Sequence, residues 1–512
     1  MNNFEKIAND DEIILIEKNA IKSGLEETTL IKRAGTKIFD YLYKNIDKNK
    51  KILFVLGKGK NGQDGYIAYK KLTNKKLNCK ILLTFPQSDY DHWSKTFKIN
   101  PNNKNIYYFD NSFEKLIEDC DLIIDCIFGT GLNRPLNSDL QKIIHSINKS
   151  NKYVISIDLP SGLSESAYNA YKLNNKNVII ADKTLSLTAI KTSCVNLNTQ
   201  KYANDIINLD IGINKMPNSY VPKFLIDEKA LKLIPNKNKY GNKRDSGNIT
   251  IIGGSTRYPG AILMASKACI ETGVGLISIS IPNKIYNIVA GQIPEVSLQV
   301  GEHKNNFITI ENIKIVLNKK SLNSVLIGPG MEVNGNTIDS MKYLIENIKT
   351  NKRISSLIID ADGLNCLSKI KNWWKNDFPT NFVLTPHMGE MARLTNLNIS
   401  QIQSDPINII YKFAKKWNCT VILKGPLSYI SDGVTVYVLN KPNPALAKGG
   451  TGDVLAGITA GFLTQKLNSI EGSILGVSLL SKLGAWSKEK YGTLGSTASK
   501  LINGINQINS NE

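Results

Sequence analysis

The stretch Ala447-Lys448-Gly449-Gly450-Thr451-Gly452-Asp453-Val454-Leu455-Ala456-Gly457 sets three glycines, a threonine and one carboxylate ahead of a small-residue apolar run, Leu455 to Leu463, that reads as a helix. The amides of Gly450, Thr451 and Gly452 would point at whatever approaches the helix end. Free amides and the positive end of the helix dipole favour a phosphate or a developing oxyanion. Asp453 stands beside them as a group able to take a proton from a nearby hydroxyl. A glycine-rich turn whose aspartate only caps the helix would read the same locally. The rest of the chain decides between the two.

Upstream of that stretch, short apolar strands end repeatedly in polar loops. Gly247–Ile252 leads into Gly253-Gly254-Ser255 and Tyr258-Pro259-Gly260-Ala261, ahead of a helix predicted from Ala261 to Thr272. Val325–Ile327 leads into Gly328-Pro329-Gly330, and Leu357–Ile359 into Asp360-Ala361-Asp362-Gly363. Phe382–Leu384 precedes Thr385-Pro386-His387-Met388-Gly389-Glu390, and Val421–Leu423 precedes Lys424-Gly425-Pro426-Leu427-Ser428. Strands alternating with helices predict a parallel sheet with its loops along one edge. A lone histidine is often a hydrogen-bonded core residue, but His387 sits on a strand-end loop between proline and glycine, which favours ligand contact.

The first half repeats the scheme. Residues 11 to 45 carry a helical period and predict two helices. Lys51–Leu56 is a buried strand followed by Gly57-Lys58-Gly59-Lys60-Asn61-Gly62-Gln63-Asp64-Gly65. Gly57, Gly59 and Gly62 satisfy a G-x-G-x-x-G pattern in a strand-loop-helix setting, but the next strand, Cys79–Thr84, ends in Phe85-Pro86 and lacks the ribose-binding acid of an ordinary dehydrogenase. Asp121–Phe128 leads into Gly129-Thr130-Gly131-Leu132-Asn133-Arg134-Pro135, and Tyr153–Ile157 into Asp158-Leu159-Pro160-Ser161-Gly162. In a doubly wound sheet these loops bring Asn61, Asp64, Asp125, Asp158 and Ser161 to one rim. Taken singly, each is also a common turn or cap residue. Together they suit a hard cation and a polar substrate, with Arg134 suited to a phosphate. Strands at 181–184 and 207–213 would complete this sheet.

The 512-residue length implies two or three domains, and 42% hydrophobic residues suffice for real cores. Lysine and arginine number 64 against 44 acids. The excess is spread along the whole length with no basic arm, which favours anionic small molecules over nucleic acid or a membrane surface. Seven scattered cysteines with no CxxC pair read as reduced thiols. The start shows no signal-peptide pattern, and no apolar run is long enough to span a bilayer, so a cytoplasmic protein is expected. Four histidines without clustering do not make a zinc site. Residues 214–224, with two prolines and no period, are the expected linker between domains at 1–213 and 225–512.

At these spacings KNGQD, IFGTGLNRPL and IDLPSG resemble the epimerase domain of NAD(P)HX, the hydrated nicotinamide nucleotides; the resemblance runs from about residue 10 to 213. It implies a Rossmann-like fold, K+ held by Asn61, Asp125 and Ser161, and substrate contacts from Lys60, Asn61, Gly62, Gln63, Asp64, Gly129, Thr130, Gly131, Leu132, Asn133, Arg134, Pro135 and Asp158. Asp158 would be the acid/base for inversion at C6. The loop departs from the family's NNGGD at Lys60 and Gln63. From about 236 to 505, GGS…YPGA, GPG, DAD, TPHMGE, LKG and GGTGD resemble the ADP/ATP-dependent NAD(P)HX dehydratase, which has a ribokinase-like fold.

By that second resemblance Ala261, Gly330, His387 and Asp453 meet the hydrated nucleotide, with Asp453 as catalytic base. Lys424, Gly425, Pro426, Leu427, Ser428 and Gly452 hold the adenine nucleotide, with Mg2+ and ADP as phosphoryl donor. Asn242-Lys243-Arg244 stands where the family usually has HKG. The two resemblances together imply a homo-oligomeric repair enzyme acting on NADHX and NADPHX. The alternative is a ribokinase-like kinase of a vitamin precursor fused to a non-catalytic epimerase-like module.

Overall fold

The structure is a computed structural model and describes residues 4–91, 93, 103–110, 112–132, 134–164, 177–213, 215–217, 220–301 and 306–509. The chain divides into two units between Tyr220 and Val221. The first unit holds strands Glu5–Ala8 (β1), Ile52–Leu56 (β2), Cys79–Leu83 (β3), Ile106–Tyr108 (β4), Leu122–Cys126 (β5), Tyr153–Ile157 (β6), Lys183–Leu187 (β7), Ile190–Lys191 (β8) and Asp205–Leu209 (β9). Seven of them form one sheet in the order β4-β3-β2-β5-β6-β7-β9, parallel throughout. β2 and β5 are buried along their whole length, which is why they read as unbroken apolar runs rather than as alternations.

The chain winds outward from β2 through β3 to β4 and then returns to β5 on the other side. At that reversal the loops leaving β2 and β5 part and open a crevice at the carboxyl ends of the strands. The helix Lys60–Asn74 starts inside the glycine loop, so Lys60, Asn61 and Asp64 occupy its first turns. The predicted helix pair appears as Asp10–Lys22 and Glu27–Asn45.

The second unit holds Lys223–Leu225 (β10), Asn248–Ile252 (β11), Leu276–Ile281 (β12), Ser297–Val300 (β13), Ser324–Ile327 (β14), Ser356–Ile359 (β15), Asn381–Leu384 (β16), Thr420–Leu423 (β17), Ser428–Ser431 (β18) and Val436–Leu439 (β19). Their order is β13-β12-β11-β14-β15-β16-β17-β18-β19-β10. Pairing is parallel from β13 to β17, antiparallel through the hairpin β17-β18-β19, and parallel again between β19 and β10. Both units are therefore doubly wound α/β folds. Lys223 and Phe224, expected as linker, belong to β10, because parallel pairing with Val436 and Tyr437 satisfies their backbone.

The helix predicted from Leu455 starts four residues earlier, at Thr451. Gly450 takes a left-handed φ of +86° as its N-cap, so Gly452 and Asp453 lie inside the first turn. This helix lies against Pro259–Glu271, and two glycines allow the approach. A β-carbon at Gly457 would run into the carbonyl oxygen of Ala265, and one at Gly461 into the hydroxyl of Thr272. Gly457→Val is accordingly expected to cost about 1–3 kcal/mol in urea unfolding; an unchanged midpoint would contradict this packing.

Candidate active sites

A cleft of about 450 Å³ opens at the β2/β5 reversal. Glu17, Lys60, Asn61, Asp64, the loop Gly129 to Leu132 and Asp158 line it. Asn61 donates to the carbonyl oxygens of Phe128 (2.8 Å) and Ile157 (3.0 Å), which leaves its own Oδ1 buried without a partner. Asp64 Oδ1 is likewise buried and unpartnered. Burial, with the Asp158 and Glu17 charges adding to it, pushes the Asp64 carboxyl well above its usual range. Asp158 holds a left-handed φ of +70°, costly for a non-glycine residue, and its Oδ1 pairs with the fully buried Lys191 ammonium. Lys60 bridges Glu17 (3.4 Å) and Glu27 (2.6 Å).

Asp125 and Ser161 are fully buried beneath the cleft rather than on its wall. Asp125 accepts from the Ser156 hydroxyl (2.7 Å), the Ser161 amide (2.9 Å) and hydroxyl (2.6 Å) and the Ile127 amide (3.2 Å). Burial still raises its carboxyl above the ordinary value despite those donors. Ser161 Oγ also accepts the Phe128 amide (2.9 Å). An all-oxygen set of a buried carboxylate, a hydroxyl and the orphaned Asn61 Oδ1 fits an alkali cation. Gly62, Gln63, Arg134 and Pro135 do not line the cleft, and Arg134 and Pro135 are exposed. Asn133 lies outside the described residues.

In the second unit a cavity of about 790 Å³ is lined by His387, Lys424, Gly425, Pro426, Ser428, Thr451 and Gly452, among others. Parallel bridging between His387 and Lys424 brings the loops after β16 and β17 together. Leu427 is buried and is not part of the cavity lining. Lys424 Nζ lies 2.5 Å from Asp360 Oδ1, which also accepts the Thr385 hydroxyl (2.7 Å). The other oxygen, Asp360 Oδ2, is buried and unpartnered. His387 caps the helix Met388–Thr395 through Nδ1, accepting the Gly389 amide at 2.9 Å, while Glu390 accepts the His387 amide at 2.8 Å. Ala261 and Gly330 sit together off this cavity: a β-carbon at Gly330 would lie 3.0 Å from that of Ala261. Asp362, whose Oδ2 accepts the Glu332 amide (2.9 Å), connects that corner to Asp453 by charge.

Asp453 therefore faces a crowded anionic corner. Burial first, then the charges of Asp360, Asp362 and Glu390, push its carboxyl up to about 7 against the opposing pull of Lys424. Burial likewise takes Glu390 to about 7. Lys424 is held above its ordinary value because the carboxylates of Asp360, Glu390 and Asp453 outweigh the burial that would lower it. Burial, together with Lys424 and Arg393, lowers the His387 imidazole.

Both raised carboxyls are favoured protonated in the fold. Their stabilisation is complete below about pH 4 and is lost as pH rises through about 7. The Tm of the ligand-free protein should thus fall between about pH 4 and 7, and Asp453→Asn should flatten that fall. Identical pH slopes for parent and variant would contradict it.

Among the described residues the amides of Gly450, Gly452 and Asp453 meet no acceptor, while that of Thr451 donates to Lys448 O at 3.4 Å. Three of four amides at this helix end are thus available to an anion, a slightly different set from the expected Gly450, Thr451 and Gly452. Sequence reasoning assigned no role to Lys191 or Glu17. A lysine directly following the apolar and small run Leu185 to Ile190 was a signal for the first. Glu17 on an amphipathic helix carried none.

A family model described as NAD(P)H-hydrate dehydratase matches residues 249–507, and one described as the YjeF-related protein N-terminus matches residues 27–193. The chain is 28% identical over 519 residues to a bifunctional NAD(P)H-hydrate repair enzyme of Dictyoglomus turgidum, covering 97% of each chain. It is 28% identical to one of Moorella thermoacetica, covering 92% of this chain and 90% of that one. Among solved structures, a ribokinase-like superfamily protein from Enterococcus faecalis matches at 26% identity and a TM-score of 0.50, over 56% of this chain and 96% of its own.

Proposed function

The chain belongs to the NAD(P)H-hydrate dehydratase family, and from that premise we propose a two-step repair of hydrated NADH and NADPH. The first unit inverts the R and S hydrates at C6, and the second dehydrates the S form with ADP, releasing AMP and phosphate. The observation that carries this reading is Asp453, its carboxyl raised to about 7, in the first turn of a glycine-capped helix; it does not itself line the cavity of about 790 Å³, but its neighbours Thr451 and Gly452 do, as does Lys424, which pairs with Asp360.

Hydroxide is a poor leaving group, so dehydration profits from first converting it to a phosphate ester. Asp453 takes the proton of the C6 hydroxyl as its oxygen attacks the β-phosphorus of ADP, and AMP departs. Lys424 and the Gly450, Gly452 and Asp453 amides neutralise charge on the transferred group. Loss of phosphate from C6 and of a proton from C5 then restores the ring double bond. Asp360, with its unpartnered oxygen, and Asp362 are suited to hold Mg2+, which when bound neutralises phosphoryl oxygens. Ala261, Gly330 and His387 would border the hydrated ring, and Lys424 to Ser428 with Gly452 the adenine nucleotide.

In the first unit Asp158 would serve as acid/base. Asn61, Asp125 and Ser161 would hold K+, whose charge anchors the substrate. Substrate contacts would come from Lys60 to Asp64 and Gly129 to Pro135. No described helix is long and apolar enough to cross a membrane, which supports a cytoplasmic home. The test is incubation with hydrated NADH and ADP while following the absorbance of restored dihydronicotinamide. Failure to recover it with ADP or ATP, alongside phosphorylation of a vitamin precursor, would favour the kinase alternative.

A further inference from the structure

We propose that Glu17 is a second acid/base residue of the first unit's cleft, working with Asp158 so that one carboxyl releases the C6 hydroxyl as water and the other directs water back onto the opposite face. The inference rests on the epimerase reading of that unit.

Inversion at a ring carbon requires chemistry on both of its faces, and one carboxylate reaches only one. The structure offers two carboxyls on separately anchored elements: Asp158 after β6, fixed to Lys191, and Glu17 on the helix Asp10–Lys22, fixed to Lys60 at 3.4 Å. Both line the same cleft, and they lie close enough for their charges to act on each other. The buried Asp64, whose Oδ1 has no partner, lines the same cleft and feels both charges. Asp158 is anchored through Oδ1 on Lys191, which leaves Oδ2 on the side of the cleft-lining Gly129 as the oxygen able to meet substrate. The Glu17 carboxyl stands above its usual range, chiefly through burial with Asp158 adding to it and Lys60 and Lys191 opposing, which suits it to donate a proton.

The step balances without any further reagent. Protonated Glu17 gives its proton to the C6 hydroxyl; the C6–O bond breaks, water leaves, and the N1 lone pair forms an N1=C6 iminium. Water then adds from the opposite face while Asp158 takes its proton. The reverse direction exchanges the two roles.

The test uses the full chain with R-NADHX as the probe and chromatographic separation of the epimers. Glu17→Gln should lower kcat for inversion by about 10²-fold with KM changed little, while Glu17→Asp should recover part of it. Glu27→Gln, which releases Lys60 while leaving Glu17 in place, should keep both limbs of the pH profile whatever it does to the rate, so that loss of a limb is specific to Glu17 and is not the release of Lys60. The pH profile of kcat should lose one limb in Glu17→Gln; the charged groups that set that limb are Lys60, Lys191, Asp158, Asp64 and, through Lys60, Glu27. In ¹⁸O-water each inversion should place one labelled oxygen on C6. A parental kcat in Glu17→Gln, or inversion without label, would overturn the inference. Parent protein that dehydrates the S form yet leaves the R form untouched would instead overturn the epimerase reading itself.

Discussion

Asp453→Asn should lower ADP-driven dehydration by about 10³-fold, within the range expected when a positioned general base is removed. Asparagine keeps the size and shape of the side chain and its place in the first helical turn, so the Gly450 cap and the free amides remain. What disappears is the one group placed to accept the hydroxyl proton. The affinity for ADP should change by only a few-fold, because in the proposed arrangement the amides and Lys424 would meet the phosphates independently of the Asp453 side chain. In the parent, the rate should rise with pH through about 7 as Asp453 loses its proton, and that rise should vanish in the variant. Dehydration at the parental rate would refute the assignment of Asp453 as base.

Lys424→Met should be the most damaging single change to the second unit. Lys424 and Asp360 form a buried pair with side-chain exposures of 17% and 1%. Removing only the ammonium strands the Asp360 carboxylate next to Glu390 and Asp453, and breaking such a pair costs about 3–5 kcal/mol. Urea unfolding should show that loss, and ADP-driven turnover should fall below detection because the charge beside the helix end is gone. Adding Asp360→Asn removes the stranded charge, so the double variant should regain most of the stability and none of the turnover. A double variant no more stable than Lys424→Met would mean that the lysine acts by packing alone.

How far the site was legible before the structure varies residue by residue. The strand-end loops were readable because a parallel strand is a short apolar run that stops where its loop leaves the sheet. Asn61, Asp125, Asp158, His387 and Asp453 could therefore be singled out from position, whereas a role for Lys424 came only from the family resemblance. The start of the helix at Thr451 was hidden because glycine's poor helix propensity masks Gly450 and Gly452, and only the φ of Gly450 reveals the cap. The hairpin β18-β19 was legible in principle, since Asp432-Gly433 between two strand-like runs is a strong hairpin signal; Asp432 holds the turn by accepting the Val434 and Thr435 amides. Arg134, expected at a phosphate, is exposed outside the cleft lining, since a loop's sequence does not say which way its side chains leave.

From the amino-acid sequence alone came the two doubly wound units, the edge on which their loops gather, and the carboxylates, amides and lysine that those loops carry. These follow from local periodicity and from the rule that ligands meet parallel sheets at their carboxyl ends. Only the tertiary structure decided which charges face one another: Lys191 on Asp158, Glu17 and Glu27 on Lys60, Lys424 on Asp360. Ion pairing and burial depend on distances between residues far apart in the chain. That is why the shift of Asp453 toward neutrality, on which its role as a base depends, belongs to the fold and not to the GGTGD string.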